Sequence, residues 1–202
     1  QQMNQIPISS AMLAGTLLGL PDPFRTSPGW QHRYGNQEIS QFRSAEMIAE
    51  KWDCSREAME VFGLESNNRA LAAIAEGRFR REITPVGKFD TDETPRVSSL
   101  EKMAKLRSAF SKDGTLTAAN SSALTDGASA TLLMSETKAR ELGLTPLAAF
   151  RSWAYVGVDP AEQVLKGPAL SMPLALKRAG LELSDVDMVD MHEAFAAQVL
   201  SV

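Results

Sequence analysis

Apolar residues recur at helical spacing in the first half of the chain and predict two consecutive helices. The first spans residues 40–53, with the Ser40 hydroxyl as its cap. The second begins at Ser55 and is interrupted at Gly63, because glycine inside a helix costs about 1 kcal/mol relative to alanine. Its apolar stripe then continues until Gly77 ends the helix. The apolar positions are Phe42, Met47, Ile48 and Trp52 in the first helix, and Met59, Phe62, Leu64, Leu71 and Ile74 in the second.

The periodicity changes abruptly near the end of the chain. Residues 186–191 roughly alternate between apolar and acidic side chains, which predicts a short strand. From Glu193 onward the spacing of Phe195 and Val199 is helical, so His192 lies where a strand ends and a helix begins. Ligands and free helix N–H groups meet at such junctions in α/β sheets. An imidazole there can donate to an oxygen that gains negative charge, and the alternative is a histidine that caps the helix or satisfies a buried backbone group.

The remaining pattern alternates between predicted strands and helices. A buried strand at 147–156, a helix at 171–178 capped by Ser171 and ended by Gly180, and the strand at 186–191 form a right-handed βαβ unit. Residues 12–35 are rich in glycine and proline and are predicted to be irregular. The other predicted elements are an edge strand at 82–86, a helix at 100–106, a strand at 116–118 and a helix from Gly127 to Leu142, capped by Asp126 and ended by Gly143.

Composition and charge exclude several classes of protein. The chain has 202 residues, of which 44% are hydrophobic and 23% are charged, as in ordinary globular domains. Its net charge of -4 argues against binding to nucleic acid or anionic membranes, and no apolar run is long enough to span a bilayer. No secretory signal is visible, and the absence of an initial methionine suggests a trimmed or partial chain. Its one cysteine, Cys54, excludes an internal disulfide and fits a reducing compartment.

Three motifs resemble those of the thiolase family, in the family's order and spacing. Residues 92–96, Asp-Glu-Thr-Pro-Arg, resemble the Asp-Glu-x-x-Arg segment. Residues 117–128 resemble the Thr-Ala-Gly-Asn-x-Ser-x-x-x-Asp-Gly-Ala signature. Residues 191–196, Met-His-Glu-Ala-Phe-Ala, resemble the Asn/His-Glu-Ala-Phe motif in the His version of degradative members. The similarity runs from about Met3 to the end of the chain.

The resemblance implies an α/β chain with part of the thiolase fold, which is layered αβαβα. It places residues 1–11 at the end of the amino-terminal domain, 12–116 in the loop domain, 117–146 back in the amino-terminal domain and 147–202 at the start of the carboxy-terminal domain. The family's nucleophilic cysteine is then expected before Gln1, and its second cysteine and catalytic histidine beyond Val202. Cys54 is accordingly not assigned as the nucleophile.

The activity implied by the resemblance is thiolytic cleavage of a 3-ketoacyl-CoA by coenzyme A in fatty acid β-oxidation, without a metal. The products are acetyl-CoA and a shortened acyl-CoA. His192 matches the donor that stabilises the enolate oxygen, and Glu193 is expected to orient it or its water. Phe42 stands where the family commonly has glycine, which puts the shape of the acyl group in question. The expected coenzyme A contacts are Arg96, Ala118, Ser122, Ala194 and Phe195.

The resemblance also implies a homo-oligomer, a dimer or tetramer, with a possible hydratase–dehydrogenase partner. Its expected location is the bacterial cytoplasm or an organelle matrix. Two other classes remain open: a non-catalytic thiolase-like protein that binds coenzyme A or lipid, as sterol-carrier relatives do, and an unrelated α/β interaction domain. At the residue level, Arg96 could instead pair with Asp92 or Glu93, and Phe195 could belong to the core.

Overall fold

A computed structural model of the chain describes residues 10–20, 22, 26–37, 39–160 and 164–202, except for the side chains of residues 11 and 12. None of the helices in these ranges has the length and apolar character that a bilayer crossing requires. The α-helices are α1 (Ser10–Leu17), α2 (Pro28–Tyr34), α3 (Gln41–Lys51), α4 (Arg56–Ala75), α5 (Leu100–Ala104), α6 (Glu136–Glu141), α7 (Gly167–Ala179) and α8 (Ala196–Ser201), with 3-10 turns at Arg78–Arg81, Val164–Lys166 and Leu183–Asp185.

Both long helices begin where their serine caps predict. The Ser40 hydroxyl accepts a hydrogen bond from the Arg43 N–H at 3.1 Å, and the Ser55 hydroxyl accepts one from the Ala58 N–H at 3.1 Å. The predicted interruption of the second helix at Gly63 is wrong, because α4 runs unbroken through this residue. The expected cost of glycine in the helix is therefore outweighed by packing.

Gly63 is required by a close approach of the chain. A Cβ atom built on Gly63 would overlap the carbonyl oxygen of Ala119. The loop around Ala119 therefore crosses α4 at a point where only a hydrogen atom fits. Glycine stays in the helix because tertiary packing overrides its weak helix propensity.

The core lies where α3, α4 and α8 meet the chain at Leu116. It is built largely from small side chains, so the helices can approach one another closely. Phe195, which is 4% exposed, is its largest aromatic member. The buried residues of this core are Ala45, Ile48, Ala49, Met59, Leu116, Phe195, Ala196 and Ala197.

The predicted strands do not form a ladder in the part of the chain that the structure describes. Its only β contacts are isolated bridges between Val86 and Phe89 and between Ser121 and Phe195. The prediction of strands is therefore wrong at 82–86, 116–118, 147–156 and 186–191. The predicted βαβ pairing is wrong for the same reason. A strand needs a neighbour to accept and donate its backbone hydrogen bonds, and these segments find none among the described residues. In the segment 147–156, large apolar side chains stay open to solvent, with Leu147 99% and Tyr155 88% exposed.

The helix predicted from Gly127 to Leu142 is much shorter than expected. Only α6 is helical, and its cap is Ser135, whose hydroxyl accepts from the Lys138 N–H at 3.2 Å, so Asp126 does not cap it. Ser135 followed by an acidic first turn is the stronger start signal. Gly143 follows the helix with a φ of 65°, as its predicted role in ending the helix requires.

Three further predictions concern helix extents. Residues 12–35 were expected to be irregular, but they include most of α1 and all of α2, which begins with a proline after the Ser27 cap. The helix predicted at 171–178 begins earlier, at Gly167, so Ser171 does not cap it, although Gly180 ends it as expected. The helix predicted at 100–106 is confirmed as α5, but it ends at Ala104. The first nine residues lie outside the described part of the chain.

We expect Gly63→Ala to lower the melting temperature of the chain. The added Cβ would force the loop at Ala119 away from α4, and overpacking of this kind costs about 1–3 kcal/mol. That exceeds the gain in helix propensity, which is at most about 1 kcal/mol. Thermal unfolding followed by circular dichroism measures the change.

Gly167→Ala serves as the matched control, because a Cβ at Gly167 meets no atom within 4 Å. A melting temperature of Gly63→Ala at or above the wild-type value would show that the loop does not press on α4.

Candidate active site

The second and third sequence motifs lie side by side. The Ser122 N–H donates to the Ala194 carbonyl at 2.9 Å, and the Ala196 N–H donates to the Asn120 carbonyl at 2.9 Å. Between these two bonds, Ser121 and Phe195 form a β-bridge. The structure thus joins two segments that are distant in sequence into one rigid unit.

Asn120 organises the turn on which this unit depends. Its Oδ1 accepts from the Thr117 N–H at 2.8 Å, and its Nδ2 donates to the Thr115 carbonyl at 3.0 Å. The Thr117 hydroxyl accepts from the Ala119 N–H at 3.2 Å. Asn120 is 3% exposed, so these bonds are shielded from water. The turn of small residues therefore has a fixed shape.

Glu46 anchors the same turn from α3, a role that the sequence motifs do not reveal. Its carboxylate accepts from the Thr115 N–H at 3.0 Å, the Thr115 hydroxyl at 2.8 Å and the Leu116 N–H at 3.1 Å. Charge-assisted bonds of this kind are stronger than those between neutral groups. The sequence offers one sign of this role, because Glu46 lies between Ala45 and Ile48, which are both buried in the core.

His192 is exposed and precedes α8 by four residues. The helix expected from Glu193 begins only at Ala196, because the pairing with residues 120–122 holds Phe195 in an extended conformation. His192 therefore neither caps α8 nor lies buried. Its imidazole is open to solvent beside the paired segments.

Glu193 and Arg96 both reach α4. The Ser66 hydroxyl donates to Glu193 Oε2 at 2.6 Å, and Asn67 Oδ1 accepts from the Arg96 N–H at 2.9 Å. Among the described residues, Arg96 forms no ion pair with Asp92 or any other acid, so its exposed guanidinium is open to a ligand. The structure thus brings the first motif to the helix that also holds the third.

The predicted coenzyme A positions differ in exposure. Ala118 and Ser122 are exposed, Ala194 is half-buried, and Phe195 is buried in the core. The Phe195 ring meets Phe42 edge to face, with centroids 5.9 Å apart. Four of the five positions thus lie on the 117–122 turn and the segment 194–196 that pairs with it, a contact that we call the seam. On this seam the exposed Ser122 hydroxyl donates to the Ala123 carbonyl at 3.4 Å. The hydroxyl of the neighbouring Ser121 is buried, with no hydrogen-bond partner among the described residues.

A separate cavity of about 970 Å³ lies between α3 and residues 109–115. Phe42 and Phe110 stack at its edge, with centroids 3.8 Å apart, and the predicted site residues do not line it. Cys54 does line it, and burial raises the pKa of its thiol, helped by the negative charge of Asp53. Cys54 is therefore a protonated thiol at neutral pH, and it belongs to none of the three motifs. In the described part of the chain no cluster of His, Cys, Asp or Glu side chains could hold a metal ion.

Similarity to known proteins covers all three motifs. Residues 36–137 match the family described as thiolase, N-terminal domain, and residues 144–202 match thiolase, C-terminal domain. The steroid 3-ketoacyl-CoA thiolase FadA6 of Mycobacterium tuberculosis is 48% identical to this chain over 205 residues, which cover 100% of the chain and 50% of that protein.

Solved structures agree in fold. The Bacillus anthracis acetyl-CoA acetyltransferase matches with a TM-score of 0.77 and 38% identity, over 82% of this chain and 44% of that one. Human mitochondrial 3-ketoacyl-CoA thiolase, solved in complex with CoA, matches with a TM-score of 0.74 and 38% identity, over 78% of this chain and 41% of that one. The chain thus spans half the length of these relatives or less, and it has part of the thiolase fold. The match to the amino-terminal thiolase domain, residues 36–137, by itself covers half of the 202-residue chain, so the chain belongs to the thiolase family.

Proposed function

We propose that the protein carrying this chain is an acyltransferase that cleaves a 3-ketoacyl-CoA with coenzyme A, as in fatty acid β-oxidation. The observation that carries this proposal is the pairing of residues 120–122 with 194–196. This pairing brings the exposed His192 close to the turn of small residues that includes Ser122. We take the reaction to need a hydrogen-bond donor close to small exposed side chains along which a slender ligand can lie, and His192 with the 117–122 turn meets that need.

The reaction breaks the bond between C2 and C3 of the 3-ketoacyl-CoA. The C3 acyl group passes to a sulfur nucleophile and then to coenzyme A, while C2 and its thioester leave as an enolate. Protonation of C2 gives acetyl-CoA. Negative charge develops on the thioester oxygen, and fixed donors aimed at such an oxygen supply a large part of catalysis. We assign this donor role to His192, and to Glu193 the role of orienting its imidazole or a water.

The seam beside His192 suits the pantetheine arm of coenzyme A. That arm is a narrow amide chain, which needs a smooth groove and a few polar partners. Ala118 and Ser122 are exposed along the seam, and Ala194 and Phe195 support it from beneath. We assign the exposed Arg96 to the anionic part of the same ligand, since guanidinium groups pair well with phosphate.

The assay uses the full natural protein that contains these 202 residues. Turnover of a linear and of a steroid-derived 3-ketoacyl-CoA is measured with coenzyme A as the second substrate. The steroid substrate is included because the FadA6 relative matches over the whole chain. Binding of coenzyme A without cleavage of either substrate would favour a non-catalytic thiolase-like protein instead.

We expect His192→Ala to lower kcat by about 10²–10³, the range found when one oxyanion donor is removed. The substitution removes an exposed side chain, so folding should be unaffected. His32→Ala is the matched control, since this histidine lies in α2, outside the three motifs. Unchanged turnover of His192→Ala would exclude this residue from the mechanism.

We expect Cys54 to react slowly with iodoacetamide, because its raised pKa keeps the thiol protonated as pH rises through the usual thiol range. The pH at half-maximal alkylation rate should lie above that of the same chain unfolded in urea. Asp53→Asn should lower this midpoint pH, because it removes a negative charge beside the thiol. Asparagine tolerates the positive φ of 51° at this position, so the backbone should not change.

Cys54 is the one cysteine of the sequence, so alkylation measured by mass spectrometry reports on this residue alone. A midpoint below that of the unfolded chain would restore Cys54 as a candidate nucleophile.

We also expect the 202-residue chain by itself to show no thiolytic cleavage. Its one cysteine is protonated and lines a cavity that the predicted site residues do not share. The same assay, run on the chain alone and on the full natural protein, measures the difference. Coenzyme A-dependent cleavage by the chain alone would contradict the assignment of the nucleophile to another cysteine.

A further inference from the structure

One face of α4 contacts all three sequence motifs. Gly63, Ser66 and Asn67 lie three and four residues apart, so they share one side of the helix. Gly63 leaves room for the 117–122 turn at Ala119, Ser66 bonds to Glu193, and Asn67 bonds to the Arg96 backbone. Within little more than one helical turn, α4 therefore fixes three segments that lie far apart in the sequence.

Ser66 has the most specific of these contacts. Its hydroxyl donates to the Glu193 carboxylate at 2.6 Å, a short bond to a charged acceptor. A serine inside a helix commonly bonds to the carbonyl one turn earlier instead. Here the hydroxyl points away from its own helix and ties α4 to the segment that carries His192.

This bond is the main restraint on the His192 segment. Among the described residues, no hydrogen bond holds positions 187–192, and Glu193 is held only by Ser66. The next fixed point along the chain is the Ala194 carbonyl, which accepts from Ser122. Without Ser66, the nearest fixed points would be Val186, whose N–H donates to the Leu183 carbonyl at 3.1 Å, and Ala194, so His192 and Glu193 would lie in a loop held only at its two ends.

We propose that Ser66 is a positioning residue for the His192–Glu193 pair. This inference rests on the proposed function and adds a residue outside all three motifs. The Ser66 hydroxyl acts through Glu193: it fixes the carboxylate, which in turn fixes the adjacent peptide and the direction of the His192 imidazole. An oxyanion donor must be held in place before charge develops, so loss of the restraint lowers turnover and leaves substrate binding intact.

The test compares Ser66→Ala, Ser66→Thr and the wild type in the full natural protein. Ser66→Ala should lower kcat about two- to tenfold, the usual effect of losing one hydrogen bond, with the KM for 3-ketoacyl-CoA unchanged. Ser66→Thr keeps a hydroxyl donor and should restore kcat. Asn68→Ala is the control, because Asn68 is an exposed neighbour on the same helix and its side chain forms no hydrogen bond with the described residues.

A double-mutant cycle with Glu193→Ala identifies the path of the effect. Once Glu193 is truncated, Ser66→Ala should cause no further loss of kcat, since residues that act as a pair are not additive. Additive losses, or a kcat of Ser66→Ala equal to that of the wild type, would overturn the proposal.

Backbone 15N relaxation tests the restraint without relying on activity. Ser66→Ala should lower the backbone order parameters of residues 190–193 and leave those of residues 197–201 in α8 unchanged, and unaltered order parameters at 190–193 would overturn the proposal. If the wild type shows no thiolytic activity, the proposed function fails, whereas the relaxation result still decides whether Ser66 fixes the segment. If His192→Ala is inactive but Ser66→Ala is fully active, the function stands and this inference fails.

Discussion

Two backbone hydrogen bonds between residues 120–122 and 194–196 are the constraint on which the rest of the structure depends. They fix where α8 begins, because Phe195 must stay extended to pair with Ser121. They also bury Phe195 and the two alanines that follow against α3 and α4. Since α8 closes the core, the same bonds that tie the segment carrying His192 to the 120–122 turn hold the fold together.

Small side chains make this close pairing possible. Ala45 and Ala49 on α3 meet Ala196 and Ala197 on α8 in the core, and Gly63 lets the 117–122 turn touch α4. Each contact brings backbone near backbone, where even one added methyl group strains the packing. The backbone groups of residues 115–117 that this packing carries inward are satisfied by Asn120 and Glu46, whereas the buried Ser121 hydroxyl has no partner among the described residues.

Local signals in the sequence predict the structure well where a single side chain decides the outcome. The caps Ser40 and Ser55 act on N–H groups three residues away, and the motifs identify segments that the structure brings together. The expected strands failed because a ladder requires a neighbouring strand that periodicity cannot supply. Gly63 misled the helix prediction, since its role depends on Ala119, a residue from another part of the chain.

The same limit explains why Ser66 and Glu46 could not be found from motif spacing. Each is an ordinary helical residue whose partner lies far away in sequence, and only the fold reveals the contact. Their effect on the site is nevertheless direct. His192 follows a stretch with no hydrogen bonds to the described residues and precedes two adjacent anchors, the side chain of Glu193 and the carbonyl of Ala194. One anchor would leave the segment free to swing, whereas two in succession limit the direction in which an imidazole can point, and a preorganised donor needs that direction fixed.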